Sequence, residues 1–282
     1  MSLQSQKGWA RVTAEAATGA LVELVDACTW PSEAFWRSFE LGVLAERDFP
    51  RPVLELGCGD GAFTSLLGIM VDEGLDLNPR AVERARARSD TYGSVRCVDI
   101  RLLAHDADGW YATIFANSVL EHVTNVEGVL RACHRLLRQT GRLIATVPLV
   151  NMNQHLLIRA SSYAEFRRRQ LHHHNLWSMD EWCFAIRNAG FEEIDVVHYL
   201  PGVHCQFWDR IDVIGDLGIR RYRVATAVRK MGSLVLPRRA KLWVKDRVTA
   251  GIRRQLEMTH SGDAEMCAAL LIATKSGATT SN

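Results

Sequence analysis

The chain reads as an α/β protein on a doubly wound, mostly parallel sheet, and three observations predict this. From Pro52 to Pro148 short apolar runs alternate with amphipathic stretches. The runs are apolar throughout rather than alternating, as strands covered on both faces are. The first of them leads through a glycine-rich turn directly into a helical pattern.

In order, residues 1–50 carry two helical patterns, 14–28 and 32–46. Residues 53–56 form the first strand, ending at Gly57, and 63–67 open a helix. Residues 74–77 are the second strand, stopped by Asn78-Pro79. Proline suits the first turn of the helix that follows over 81–88, because its fixed φ is already helical. Residues 95–98, 113–116 and 143–147 are the next three strands, the last entered through a turn at Gly141. Val126, Val129, Leu130, Cys133, Leu136 and Leu137 recur at helical spacing before it. After Pro148 the alternation lapses until a helix over 179–189, closed by Gly190 and followed by a strand-like run over 191–199. Residues 268–274 are a last apolar strand. This divides the chain into an N-terminal helical cap (1–50), a core (51–148), a cap insertion (149–176), a core continuation (177–200), a basic helical insertion (201–263), and the last strand with its tail (264–282). Insertions of that length inside a compact domain are functional or helical in their own right.

The 282 residues are 48% hydrophobic and 23% charged, which excludes disordered, collagen-like and disulfide-stapled scaffolds. Seven scattered cysteines without a CxxC pair argue against disulfides or structural zinc and for a reducing, cytoplasmic setting. No signal-peptide pattern opens the sequence, and no run has the length of a membrane span. The net charge of +2 is unevenly spread. Between Arg220 and Arg254 stand twelve Lys or Arg against the single acid Asp246, which leaves the rest of the chain at −9.

The strongest chemical signal is Val53-Leu54-Glu55-Leu56-Gly57-Cys58-Gly59-Asp60-Gly61, a strand running into Gly-x-Gly-x-Gly and then a helix. Glycines there let the chain turn tightly and let a ligand approach backbone N–H groups. Asp76 ends the next strand, nineteen residues after Gly57, where an acid can accept hydrogen bonds from both ribose hydroxyls. A nucleoside ligand follows, but its kind stays open, because Gly57-x-Gly59-x-x-Ala62 also satisfies the dinucleotide fingerprint.

The rest of the chain bears on that choice. Glu55-x-Gly57-x-Gly59-x-Gly61, Gly74-Leu75-Asp76-Leu77-Asn78-Pro79, Val98-Asp99-Ile100, Val119-Leu120-Glu121-His122-Val123 and residues 136–143 (LLRQTGRL) occur in that order. This string resembles the class I S-adenosylmethionine (SAM)-dependent methyltransferases, the small-molecule branch that includes ubiquinone-type enzymes. The resemblance is close over 51–148 and looser through 172–199, where His-His-Asn-Leu-Trp-Ser, Glu181-Trp182 and Ala189-Gly190-Phe191 fall. It implies a sheet of seven strands with the last antiparallel. It also implies a SAM cofactor, converted to S-adenosylhomocysteine (SAH) as a methyl group passes to an oxygen or nitrogen of a small, lipidic or glycosidic acceptor. Gly57, Cys58, Gly59 and Gly61 would wrap the methionine part, with Glu55 ordering the loop or meeting the amino group through water. Asp76 would hold the ribose, Leu77 and Asn78 would flank the adenine, Asp99 would accept from its amino group, and Ile100 would donate a backbone N–H to the ring. Asn117 and Ser118 would sit beside the sulfonium, and His122 would line the pocket. Ala112 departs from the pattern, standing where an acid commonly precedes the fourth strand. The alternatives are a catalytically inactive SAM-binding regulator and an NAD-dependent oxidoreductase.

Methyl transfer from a sulfonium needs positioning more than covalent help, and a base only where the acceptor must lose a proton. The candidate bases are His173, preferred, and His174, in the His172-His173-His174 run before the helix that Ser178 starts. Glu121-His122 offers two adjacent metal ligands, too few alone, and Ser118 stands where another carboxylate would help, so no metal is expected. Ala240, Val244, Val248, Ile252 and Leu256 form an i, i+4 stripe in the basic stretch, with Trp243 off it. Such a helix is a lid with a solvated basic face or a dimer contact, a peripheral contact with anionic lipid through 220–254, or a dock for an anionic substrate or nucleic acid. The balanced overall charge disfavours nucleic acid, and nothing fixes the oligomeric state.

Overall fold

The computed structural model describes residues 20–28, 30–103, 108–216, 218–219, 222–223, 238–257 and 265–277. Its element order is α1 (Leu21–Ala27), α2 (Pro31–Leu44), β1 (Val53–Leu56), α3 (Ala62–Leu67), β2 (Val71–Asp76), α4 (Pro79–Arg86), β3 (Tyr92–Cys97), β4 (Tyr111–Asn117), α5 (Val126–Leu136) and β5 (Leu137–Pro148). There follow α6 (Ser161–Gln170), α7 (Met179–Asn188), β6 (Glu193–Pro201), α8 (Gly202–Asp216), the short strands β7 (Gly218–Ile219) and β8 (Tyr222–Arg223), α9 (Arg238–Leu256) and β9 (Met266–Thr274).

Seven strands form one sheet in the order β3-β2-β1-β4-β5-β9-β6. The pairs β1–β2, β1–β4, β2–β3 and β4–β5 are parallel, and β5–β9 is antiparallel. This is the doubly wound sheet with an antiparallel last strand that the sequence predicts. Its order reverses at β1, so the loops after β1 and β4 diverge to leave the crevice in which ligands of such sheets bind. Every residue of β1 and β4 is buried, which is why their sequences are mostly apolar, with Glu55, Thr113 and Asn117 as the buried polar exceptions.

Strand β1 has the ends the sequence predicts, and the other strand ends differ from the sequence reading by up to six residues. Strand β2 begins at Val71 and stops at Asp76, leaving Leu77 outside it. Gly141 is not an entry turn, because β5 starts at Leu137 and carries an irregularity opposite Tyr111 and Thr113. The left-handed residue there is Thr140, at φ +61. Between β5 and α7 the chain is not a plain loop but contains a 3₁₀ segment, Val150–His155, and α6.

The chain divides into two compact units. The sheet unit comprises 47–152, 160–199 and 267–282. Its core packs Leu54, Leu56 and Leu75 with the inward stripe of α5 (Val126, Val129, Leu130, Cys133, Leu136) and with Trp182, Ile186 and Phe191. Helix α7 starts on a capping box in which Ser178 and Glu181 satisfy each other's backbone N–H. Lys275 closes the end of α5 by donating to His134 O at 2.8 Å and Leu137 O at 2.7 Å.

The other unit comprises 1–46, 153–159 and 200–266. Within it Phe35 packs edge-on against Phe39 and Phe207, and Ser32 donates to Asp212 at 2.5 Å. Phe35, Trp182 and Trp208 are buried as core. On α9, Ile252 and Leu256 are buried as the stripe predicts, and Trp243 is 60% exposed. The side chains of Ala240 and Val244, residues 14–19 of the first expected helix, and much of the 220–237 stretch lie outside the described residues. All seven cysteines are free. Among the described residues no helix is long and apolar enough to cross a membrane.

Candidate active site

The site begins where β1 ends. Gly57 has φ +66, and a Cβ there would come within 2.5 Å of Val119 Cγ2, so the residue following the β4 turn packs directly on the glycine loop. Gly59 has φ +57 with nothing within 4 Å of where a Cβ would stand: a left-handed backbone facing open space, which a ligand can approach. Gly61 starts α3 and rests on the ring of Tyr92, whose Cε2 lies 2.5 Å from a Cβ position.

Glu55 is buried, with Oε1 accepting from Thr64 Oγ1 at 2.6 Å and Oε2 from Tyr92 OH at 2.7 Å. Both oxygens are thus bonded inside the protein, the arrangement that orders the loop. Cys58 donates its backbone N–H to Leu75 O at 2.9 Å, and burial pushes its buried thiol far up, so it serves as packing. Sequence reasoning missed Tyr92, for nothing in its local pattern sets it apart from any other aromatic at a strand start.

Asp76, at the end of β2, joins two loops. Its Oδ2 accepts from Gly59 N–H at 2.8 Å and its Oδ1 from Asn78 N–H at 2.7 Å. Asn78 in turn caps α4 through Arg80 N–H, and Leu77 beside it is 66% exposed. At the end of β3, Asp99 caps a 3₁₀ turn, Ile100–Leu102, and Ile100 packs against the core. Arg101, another residue the sequence reading passed over, grips the Asp99 carboxylate through Nε at 3.0 Å and Nη2 at 2.5 Å. It reaches Thr124 Oγ1 at 3.1 Å with Nη1. This pairing holds the Asp99 carboxyl below the usual carboxylate range. A carboxylate has about four lone-pair positions, so the grip leaves room for a further donor.

At the end of β4, Asn117 is buried and Ser118 turns the chain in a left-handed conformation, φ +50. The 3₁₀ turn Leu120–His122 follows. The histidine run is stitched onto it: His174 and Asn175 N–H donate to Glu121 O at 2.8 and 3.0 Å. Asn175 Nδ2 donates to Leu120 O at 2.8 Å and Val123 O at 2.7 Å. Asn175 is buried and is a further residue without a signal of its own in the sequence.

The stitching brings His173 to Glu121 and His122, and donor atoms of the three lie within 4.8 Å of one another. His174, exposed, is not one of the three. The His122 and His173 rings lie 5.2 Å apart. His122 Nδ1 is 3.1 Å from His172 O, and since a carbonyl only accepts, Nδ1 carries the hydrogen and Nε2 the lone pair of the neutral ring. Burial, then the neighbouring His122 and Arg167, push His173 down to about 3, so it is neutral at neutral pH, and its buried Nδ1 has no hydrogen-bond partner.

Glycine loop, Asp76, Asp99 and the Asn117-Ser118 turn all stand at the carboxyl ends of four adjacent strands. They fit a nucleoside cofactor: an open backbone at Gly59, a carboxylate bridging to it, and an exposed leucine alongside. The profile of a methyltransferase domain family matches residues 33–196. A ubiquinone biosynthesis O-methyltransferase of Acinetobacter baumannii is 26% identical over 175 residues, covering 56% of this chain and 71% of that protein. The corresponding protein of Xanthomonas euvesicatoria is 30% identical over 155 residues, 51% and 64% of the two chains. Among solved structures, a Haemonchus contortus phosphoethanolamine N-methyltransferase in complex with phosphomonomethylethanolamine and SAH shares the fold, with a TM-score of 0.53 at 15% identity, covering 84% of this chain and 51% of that one. With the family profile running through more than half of its length, the chain belongs to the methyltransferase domain family and is a SAM-dependent methyltransferase.

Proposed function

We propose that this enzyme methylates an oxygen of a small acceptor, and that the Glu121, His122 and His173 cluster takes up the acceptor's proton. The observation that carries this is the meeting of the three side chains just after the Ser118 turn, on the segment that leaves the cofactor-binding edge of β4. When bound, SAM supplies a methyl group on a sulfonium, a good leaving group. Gly57, Gly59, Gly61, Asp76, Leu77, Asn78, Asp99, Ile100, Asn117 and Ser118 hold it in place. The chain's own part in the chemistry is to orient the acceptor in line and to accept one proton. His173 is in the neutral form that can do so, and His122 presents a lone pair at Nε2. The relatives named for O-methylation in ubiquinone biosynthesis favour a hydroxyl over an amine.

The test is turnover of a panel of phenols, alcohols and phosphoethanolamine, with SAH affinity followed by calorimetry. His173→Ala and His122→Ala are expected to lose turnover while binding SAH like the wild type. Unchanged turnover in both overturns the base assignment. The same three donors also suit a divalent cation, an imidazole-carboxylate set. Loss of activity on dialysis against chelator, restored by Mg²⁺ or Zn²⁺, would establish that second reading, and full retention would reject it.

The stretch 220–254 is proposed as a peripheral contact with anionic lipid. Supporting it, α9 exposes Arg253, Arg254 and Trp243, with the Arg247 guanidinium 5.3 Å from the Trp243 ring centre. Vesicles of phosphatidylglycerol should co-sediment the protein at low salt and release it at high salt; no binding at low salt removes the proposal.

A further inference from the structure

We propose that Thr146, on β5, is the positioning residue of the cofactor site, acting through its hydroxyl on the Asn117-Ser118 turn. The inference rests on the reading that this turn borders the cofactor.

Thr146 is fully buried and stands opposite Asn117 in the parallel β4–β5 register. Its Oγ1 accepts from Ser118 N–H at 2.9 Å and donates to Asn117 Oδ1 at 2.7 Å. One hydroxyl therefore fixes both a backbone direction and the orientation of a side-chain amide. Ser118 N–H also points at Thr146 O, 3.3 Å away, so residue 146 engages that N–H through main chain and side chain together. Ser118 needs this hold. At φ +50 it occupies the left-handed region, which is strained for a non-glycine residue and persists where surroundings over-determine it.

The consequence of that turn lies one residue on. It places the Val119 side chain against Gly57, at 2.5 Å from the position of a Cβ. The chain of contact thus runs from the Thr146 hydroxyl to the strained Ser118, to Val119, to the first glycine of the loop. Removing the hydroxyl takes one hydrogen bond from the Asn117 amide oxygen and leaves the Ser118 N–H the longer approach to the residue 146 carbonyl, which lets the turn relax away from Gly57. A serine at 146 keeps the hydroxyl; a valine keeps the shape without it.

The experiment measures SAH affinity by calorimetry, well below the melting temperature of each variant, together with that melting temperature and the KM for SAM. T146V is expected to weaken SAH binding about tenfold or more and to raise the KM for SAM in step. T146S is expected to stay within about threefold of the wild type. If T146V does not fold, T146C takes its place, its thiol being a weak donor of similar size; affinity must then fall clearly below that of T146S. A purely structural role predicts a lower melting temperature with SAH affinity unchanged, and that result overturns the inference. So does equal loss in T146S and the hydroxyl-free variant. Failure of the wild type to bind SAH overturns the cofactor reading and this inference with it, whereas wild-type binding matched by T146V overturns this inference alone.

Discussion

Replacing Tyr92 by phenylalanine separates what its hydroxyl does from what its ring does. The ring lies under Gly61 and Gly74, with carbon atoms 2.5 and 2.9 Å from the respective Cβ positions, and Tyr92→Phe leaves that packing in place. The hydroxyl donates to Glu55 Oε2 at 2.7 Å inside the protein, while Thr64 holds Oε1. A hydrogen bond to a carboxylate contributes about 1.5–3 kcal/mol, and the loss tends to the upper part of that range because Glu55 is buried and water replaces the phenol poorly. The cost should therefore be about 2 kcal/mol in a urea melt. It corresponds to roughly 4–8 °C in melting temperature for a unit of this size. Because Glu55 leads directly into Gly57, SAH affinity should fall as well. Thr64→Val should cost a similar amount, and Y92F combined with T64V more than the two single losses added, since both donors serve one carboxylate. A Y92F variant within 0.5 kcal/mol of the wild type, with unchanged SAH binding, would refute the idea that Glu55 orders the loop through these two bonds.

Three further outcomes follow from the same geometry. Gly59→Ala should cost only about 1–2 kcal/mol of stability, its Cβ meeting open space at φ +57, yet abolish measurable SAH binding, whereas Gly57→Ala should destabilise more through its collision with Val119. Melts and calorimetry on the pair would expose the error if Gly59→Ala bound SAH normally. Asp76→Asn replaces one of the oxygens that hold Gly59 and Asn78 N–H, and should weaken SAH about ten- to hundredfold; an unchanged affinity would remove Asp76 from the site. His173, held down to about 3, resists a proton that the unfolded chain takes up near 6.5. Its contribution is fully present above pH 6.5 and is lost as pH falls towards 3, about 2 kcal/mol by pH 5. In chelator-containing buffer, His173→Gln should flatten the stability loss between pH 7 and 5, and parallel curves for the two proteins would argue against a half-buried neutral histidine.

How much of this was legible in the sequence depends on the range of the interaction. Leu54, Leu56, Ile114 and Phe115 announce buried parallel strands, because each side of such a strand is covered and a polar residue there, such as Glu55, must be hydrogen-bonded inside the protein. The glycine loop, Asp76, Asp99 and the Ser118 turn were legible because each lies at a strand end that local pattern locates, and because their order matches a family string. Residues that support them from another strand leave no local trace. Tyr92, Thr146 and Asn175 reach their partners 37, 29 and 52 or 55 residues away in the chain, through pairings that exist only once the fold is assembled.

The same distinction explains why the histidine run was readable only in part. Sequence placed His173 before α7 and Glu121-His122 after β4 as separate candidates. Asn175 joins them by donating to Leu120 O, which also accepts from Val123 N–H within the turn, and to Val123 O just past it. A buried asparagine amide that serves two carbonyls has few substitutes: aspartate would bring acceptors where donors are needed, and leucine would take a donor from each. The site is thus set by two polar side chains that never need to touch a ligand, Thr146 shaping the turn at its entrance and Asn175 bringing the histidines to it. The chemistry of the cluster follows from that assembly, since His173 is half-buried and neutral where Asn175 and Glu121 O hold its loop.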